Sequence, residues 1–337
     1  MSLLLVTADD RTGALEVGGI VANEQRTIPV GPLAESDLCC VVDINSRQLS
    51  AAQAISRMTE VHSRPARFRS HKMDSGLRGN WPHEISALVE LGYQVAVVAS
   101  FPDAGRRCRN GVVYIQDVPV LESPFAMDPL TAPVSSKPIE VLEEAGCLGP
   151  GIVVWDADNN QDLFAAVQRC HQEGRILVGP TGAVGAFANS ILPVHPPRQT
   201  EILKPLLIVC GSLNATSREQ IAQLACPAQD LDQSIRLTDG CALVQTQFTN
   251  ELISGQAASK MAARIAAGVS KVKDRVATLM VIGGDTAAAI VGDTTLEVLG
   301  TVDTGIPICR FHDHLLVTKG GGIGWRETVL NLVQAAV

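Results

Sequence analysis

Two periodicities alternate along the 337 residues of the chain. Short continuous apolar runs bounded by polar turns predict buried strands, and longer stretches with apolar residues three and four apart predict helices. "LLLVTAD" (3–9) reads as a buried strand and "TGALEVGGIVAN" (12–23) as the helix after it. "LCCVVDIN" and residues 49–62 repeat that pair, "ARFRSHKM" is a third strand, and "PHEISALVELG" a third helix. "YQVAVVAS" is another strand, ending at "FPDAGRR". Residues 112–138, punctuated by proline, read as a hairpin and an exposed loop. The rhythm resumes with "GIVVWDAD", a helix over 160–173, "RILVGP" and a helix near 181–190.

"ILPVHPPRQTEILKP" (191–205) has four prolines and no periodicity, which marks a domain boundary. Beyond it "LLIVCGS" opens a second series: a helix over 215–225, short strands near 233–246 and a helix over 256–268. "ATLMVIGGDTAAAIV" is a strand–glycine–helix junction, and strands near 306–318 lead to "KGGGIGW" and a last helix. The alternation predicts an α/β fold, with two α/β domains of mainly parallel sheet over residues 1–195 and 196–337.

Composition narrows the setting. Hydrophobic residues make up 46% and charged residues 18%, a core-rich globular balance. A net charge of −8 argues against nucleic acid as the main partner. The opening "MSLLLVTADD" is too short for a signal-peptide core, and no apolar run reaches the length of a membrane span. Nine cysteines without a CxxC pair fit reduced thiols. The expectation is a soluble cytoplasmic protein with neither nucleic acid nor membrane as partner; a homo-oligomer is left open. Basic residues gather locally, however: Arg57, Arg64, Arg67, Arg69, Lys72 and Arg78 stand against only Glu60 and Asp74, which suggests a small anion as ligand.

Parallel α/β sheets bind ligands beyond the carboxyl ends of their strands, so each strand-to-helix junction is a candidate site. The first half supplies "TADDRTG", "DINSR", "KMDSGLRGN" and "SFPDAGRR". Asp9 and Asp10 suit recognition of hydroxyls or removal of a proton, although either could simply cap the following helix. Arg47, Lys72, Arg78 and Arg106 suit a carboxylate. Together they fit a hydroxy acid. The second half instead offers glycine turns, "CGS" (210–212), "GGDTA" (283–287) and "KGGGIG" (319–324), whose backbone N–H groups favour phosphates. Neither a GxxxxGK[ST] loop nor a G-x-G-x-x-G after the first strand is present.

Taken together, "ADDRTGA", "KMDSGLRGN", "FPDAGR", "GGDTA" and "KGGGIG" resemble the four-carbon acid sugar kinase family over nearly the whole chain. The resemblance implies an ATP-dependent kinase, a phosphotransferase with an alcohol group as acceptor, acting on threonate, erythronate or a 3-oxo-tetronate. It implies an N-terminal domain for the sugar acid, a C-terminal domain for ATP with Mg²⁺, and a cleft joining them. At matching positions, Asp9, Asp10, Arg47, Lys72, Asp74, Ser75, Gly76, Leu77, Arg78 and Asn80 would bind the acid, with Asp10 the catalytic base and the glycines admitting the ligand close to the backbone. Ser212, Gly283, Gly284, Asp285, Thr286, Gly320, Gly321 and Gly322 would hold the nucleotide, Asp285 reaching its metal, and no protein metal site is expected. Gly76 stands where relatives commonly have Thr, and Leu15, Gly320 and Ile323 also depart from the family pattern. Two alternatives remain: a non-catalytic sensor of sugar acid and nucleotide, and a hydroxy-acid dehydrogenase. Of the remaining polar residues, His83 and Glu84 read as serving a helix N-terminus, His312 and His314 as strand residues, and Trp325 as a packing residue.

Overall fold

The computed structural model describes residues 1–128, 131–229, 235–237, 240–246 and 255–337. It divides into two compact units, Met1–Val17 with Pro29–His195, and Gly18–Ile28 with Pro196–Val337. Residues 18–28 therefore group with the second unit, a detail that the proline-rich segment at 191–205 does not signal.

The first unit contains β1 (Ser2–Ala8), α1 (Arg11–Val21), β2 (Ile28–Gly31), β3 (Cys39–Asp43), α2 (Ala51–His62), β4 (Ala66–Lys72), α3 (Trp81–Glu90) and β5 (Val95–Val97), with β2 and α1 reaching its limits. An antiparallel sheet of β6 (Arg106–Arg109), β7 (Val112–Ile115) and β8 (Val118–Pro119) comes next. Then come α4 (Pro138–Glu144), β9 (Ile152–Val154), α5 (Asn160–Glu173), β10 (Ile176–Gly179) and α6 (Thr181–Ile191). The main sheet runs β2-β3-β1-β4-β10-β5-β9 and every pairing in it is parallel. Helices on both faces require strands buried on both sides, hence the unbroken apolar run of β1. α2 starts on a capping box, Ser50 with Gln53, and α5 on the side chain of Asn159. α4 is a helix that the proline spacing conceals.

One interior strand breaks the apolar rule. β4 is "ARFRSHK", and its Ser70, His71 and Lys72 are buried. Buried polar groups need partners. Ser70 Oγ donates to the Leu177 carbonyl at 2.7 Å, while His71 and Lys72 join networks at the carboxyl end of the sheet.

The second unit contains β11 (Leu206–Cys210), α7 (Ala215–Ile221), β12 (Ala228–Gln229), β13 (Cys241–Gln245), α8 (Gly255–Ser270), β14 (Thr278–Ile282), α9 (Gly284–Val291), β15 (Leu296–Asp303), β16 (Ile306–Phe311), β17 (His314–Lys319) and α10 (Thr328–Ala335). The order is β12-β13-β11-β14-β17-β16-β15. Pairings from β12 across to β17 are parallel, while β16 is antiparallel to both β17 and β15. Part of the stretch near 233–246 lies outside the described residues. β15 is hard to see in the sequence, because its Glu297, Gly300 and Thr301 interrupt the apolar run. His312 does not lie on a strand: it has φ 53° and forms the β16–β17 turn. Among the described residues no helix is long and apolar enough to cross a membrane.

Candidate functional site

In the first sheet β1 lies between β3 and β4, so the chain leaves it in both directions, the place at which parallel α/β sheets form a ligand crevice beyond the carboxyl ends of their strands. Asp9 and Asp10 come after β1, Arg47 after β3, and Lys72 ends β4. Asp9 is 1% exposed and meets Arg47 Nη2 at 2.8 Å and Lys72 Nζ at 3.0 Å. Asp10 Oδ1 meets the same two cations, each at 3.1 Å, and accepts the Gly13 amide at 3.0 Å. Asp10 is thus the N-cap of α1 as well as a cluster member. A Cβ on Gly13 would lie 2.0 Å from Lys72 Nζ, so only glycine lets that side chain cross α1.

Burial raises the Asp10 carboxyl, but Arg47 and Lys72 outweigh it and bring it down to about 2. Burial likewise opposes the charge of Lys72, but Asp10 and Asp9 outweigh it and lift the amine well above its ordinary value. Asp10 and Lys72 are therefore ionised at neutral pH.

The turn over 73–80 is organised from within. Asp74 accepts the Gly76 amide at 2.9 Å and Arg78 Nε at 2.9 Å, and its other oxygen meets Arg78 Nη2 at 2.7 Å and Arg47 Nη2 at 3.3 Å. Arg78 Nη1 reaches Asp128 at 2.8 Å, and the guanidinium lies 4.8 Å from the Phe125 ring centre. Burial opposes ionisation of Asp74, yet Arg78 and Arg47 hold it well below the usual carboxylate range. Leu77, at φ 60°, turns its side chain into the core. Asn80 Nδ2 donates to the Ser46 and Leu49 carbonyls, each at 2.8 Å, fixing the loop that carries Arg47. Ser75 makes no side-chain hydrogen bond among the described residues.

The glycines here differ from expectation. A Cβ on Gly76 would lie 2.2 Å from the Phe125 ring, and one on Gly79, at φ 86°, 2.8 Å from Arg47 Cγ. Both admit neighbouring side chains of the protein, so the close approach expected of a ligand is already taken up internally.

Beneath the cluster runs a buried hydrogen-bond chain that the sequence does not announce. His62 Nε2 and His71 Nδ1 flank Thr7 Oγ1 at 2.8 and 2.9 Å; His71 Nε2 lies 2.8 Å from Glu84 Oε2; Ser46 Oγ donates to Glu84 Oε1. One assignment of protons satisfies all four: His62 donates to Thr7, Thr7 to His71, and His71 and Ser46 to Glu84. Burial holds His62 well below its ordinary value and so neutral, and the tautomer with its proton on Nε2 fits this assignment. Glu84 therefore does not serve the start of α3; it is fully buried and ties α3 to the Arg47 loop. The readable signal is polarity inside a central strand.

Glu16 and Thr181 are also invisible to motif reading. Glu16 is buried on α1 and accepts from Thr181 Oγ1 at 2.9 Å. Burial drives its carboxyl up to about 7, against the pull of Lys72. A lone acid in the apolar "GALEVGGIV" is the one signal of it in the sequence. Arg106 is buried as well, with Nη1 donating to the Ala104 carbonyl.

In the second unit β11 lies between β13 and β14, and three glycine turns meet at the strand ends. The amides of Gly211 and Ser212 donate to Ile282 O at 3.1 and 3.2 Å, and the Gly283 amide to Lys319 O at 2.9 Å. A Cβ on Gly211 would lie 1.9 Å from Thr286 Oγ1, and one on Gly321 2.6 Å from Ser212 Oγ. Gly283, at φ 117°, precedes α9, where Gly284, Asp285 and Thr286 form the first turn. Their amides have no partner within the helix, by helix geometry.

The 320–325 turn is held through its carbonyls. Ser217 Oγ donates to Gly321 O at 2.6 Å, Gln220 Nε2 to Ile323 O and Trp325 O, and Lys319 Nζ to Gly320 O at 2.9 Å. Lys319, 1% exposed, is a buried cation that the glycine motif overshadows in the sequence. Trp325 is 62% exposed and is not a packing residue.

Known proteins agree with this division. Residues 4–147 match the family model described as a sugar-binding N-terminal domain, and residues 237–329 one described as a nucleotide-binding C-terminal domain. The chain is 26% identical to the D-threonate kinase of Salmonella typhimurium over an alignment of 413 positions, gaps included, covering 97% of this chain and 96% of that protein. It is 29% identical to the D-erythronate kinase of Heliobacterium modesticaldum, covering 66% of this chain and 60% of that one. The fold is shared with the crystal structure of Haemophilus influenzae protein HI1011, at a TM-score of 0.68 and 18% identity over 98% of this chain and 99% of that one. With a sugar-binding model over the carboxylate cluster and a nucleotide-binding model over two of the glycine turns, in that order along one sequence, the chain belongs to the four-carbon acid sugar kinase family.

Proposed function

We propose that this protein is an ATP-dependent kinase that phosphorylates a hydroxyl of a four-carbon sugar acid of the threonate, erythronate or 3-oxo-tetronate type. The observation that carries the reading is the ion-paired Asp9–Asp10–Arg47–Lys72 cluster at the carboxyl ends of β1, β3 and β4, inside the segment matched by the sugar-binding model. Buried carboxylates accept hydrogen bonds from hydroxyls, and buried cations attract the acid's own carboxylate. Residues 1–195 act as the sugar-acid domain and 196–337 as the nucleotide domain.

Asp10 orients the reacting hydroxyl and accepts its proton. Its low proton affinity suits this role, because phosphoryl transfer depends on positioning and charge neutralisation more than on a strong base. Asp9, Arg47, Lys72, Ser75 and the 74–80 turn shape the acid's seat, with Arg78, Gly76, Leu77 and Asn80 building that turn and the Arg47 loop rather than facing the ligand.

The second unit fits a triphosphate. Gly283 makes the bend before α9, Gly284, Asp285 and Thr286 place the first-turn amides of that helix at the strand ends, the 320–322 turn adds backbone N–H groups, Ser212 lies against Gly283 and Gly321, and Lys319 adds a buried cation. When bound, ATP supplies the transferred phosphoryl group, with Mg²⁺ offsetting its charge. Asp285 alone suffices for that ion, which is held chiefly by phosphates and water.

An ADP-release screen over both enantiomers of threonate and erythronate and the 2- and 3-oxo acids, with Mg²⁺, tests the reading. ADP produced with one of these acids supports it. ATP binding without ADP release across the whole panel would favour the sensor, and reduction of a nicotinamide by a hydroxy acid would favour the dehydrogenase.

A further inference from the structure

The cations of the first unit are already spoken for. Arg47, Lys72 and Arg78 are paired with Asp9, Asp10, Asp74 and Asp128, and the buried Arg106 acts on Asp74, so four positive groups face four aspartates before any ligand arrives and the surplus comes with Glu16. Glu16 adds a fifth carboxyl beside them. Its situation differs from the other four. Among the described residues it has one hydrogen bond, from Thr181, and no ion pair. It sits one helical turn beyond Gly13, the residue over which Lys72 crosses α1. The charged groups acting on it are Lys72 at the end of β4, Asp10 at the head of α1, and Arg106 on β6, with the Thr181 hydroxyl at the head of α6.

An anionic substrate entering a crevice with surplus negative charge requires either a further cation or a proton. We propose that Glu16 is a specificity-determining residue that accepts that proton: the sugar acid binds together with about one proton, and the neutral Glu16 carboxyl is what makes the crevice accept an anion. The inference rests on the sugar-acid reading of this site. The carboxyl is suited to the task because burial has already brought it to about 7, so a nearby negative charge readily completes its protonation. The other four carboxyls each face at least one guanidinium or ammonium, which favours their charged form; burial nevertheless pushes Asp9 up, and the Glu16→Gln variant separates its contribution from that of Glu16.

Titration calorimetry of threonate and erythronate binding at pH 8, in two buffers of different ionisation enthalpy, decides the matter. The expected result is a buffer-dependent enthalpy equal to uptake of nearly one proton. Affinity should fall roughly tenfold per pH unit above pH 7. Glu16→Gln keeps a partner for Thr181 and should bind with no proton uptake and no such pH dependence. Thr181→Val, which removes a bond favouring the charged form, should move the onset of the fall to higher pH. Acid binding by the parent without buffer dependence, or unchanged proton uptake in Glu16→Gln, would overturn the proposal. So would an unmoved onset in Thr181→Val. If no four-carbon acid binds the parent protein, the sugar-acid reading itself fails, and this inference with it.

Discussion

The first unit presents side chains where the second presents backbone. Around β1 and β4, aspartates, an arginine and a lysine are locked into mutual ion pairs, and the loops are tied down so that those charges stay in place. Around β11 and β14, glycines bring three turns within contact, and Ser217, Gln220 and Lys319 hold the carbonyls of one of them. A polyhydroxy acid must be distinguished from its isomers, which calls for directional side-chain partners. A phosphate chain is the same in every nucleotide, and amides with a buried cation are enough for it.

The contrast can be broken selectively. Asp10→Asn retains the cap on α1 and removes the charge, so turnover should fall roughly 10²- to 10⁴-fold with nucleotide affinity nearly unchanged. Turnover at the parent rate would remove Asp10 from the chemistry. Lys72→Met leaves Asp9 buried beside one cation fewer, and denaturant unfolding should show a loss of about 3–5 kcal/mol.

Glu16→Gln acts in the opposite direction. The carboxyl titrates near 7 in the folded protein against an ordinary 4.5, so the folded state holds its proton more tightly and loses stability as pH rises through that window. Removing the charge should raise stability at pH 8 by about 3 kcal/mol and leave it unchanged at pH 4. Equal unfolding midpoints for parent and variant at pH 8 would show that burial does not penalise this group. Smallest is Gly283→Ala, which places a side chain at φ 117° with its Cβ 3.1 Å from the Ser212 amide. Strain of about 1–3 kcal/mol should weaken nucleotide binding about tenfold while leaving acid binding within twofold. A matching loss of acid affinity would mean that the two sites are not separable in this way.

Features set by local pattern are legible in the sequence. Continuous apolar runs mark β1, β11 and β14, and the polar or glycine-rich turns after them stand out because such residues seldom succeed buried strands without cause. Features set by contacts between distant segments are concealed. Glu84 resembles any acid in a first helical turn until Ser46 and His71 are brought against it. Arg78 resembles a ligand cation until Asp74 and Asp128 occupy its fork. Gly76 looks like a place for substrate until the Phe125 ring fills the space. The register of residues 13, 16 and 72, which puts a lysine across one helical turn and an acid on the next, cannot be obtained from spacing alone.

The His62–Thr7–His71–Glu84–Ser46 chain has an implication for how damage would spread. It stitches α2, β1, β4 and α3 to the loop bearing Arg47, so slackening anywhere along it is transmitted to the crevice. Substitutions deep in that interior, such as Thr7→Val, would first be noticed as a poorer grip on the small molecule in a protein that still melts as one. Screening for variants by thermal robustness alone would pass them over.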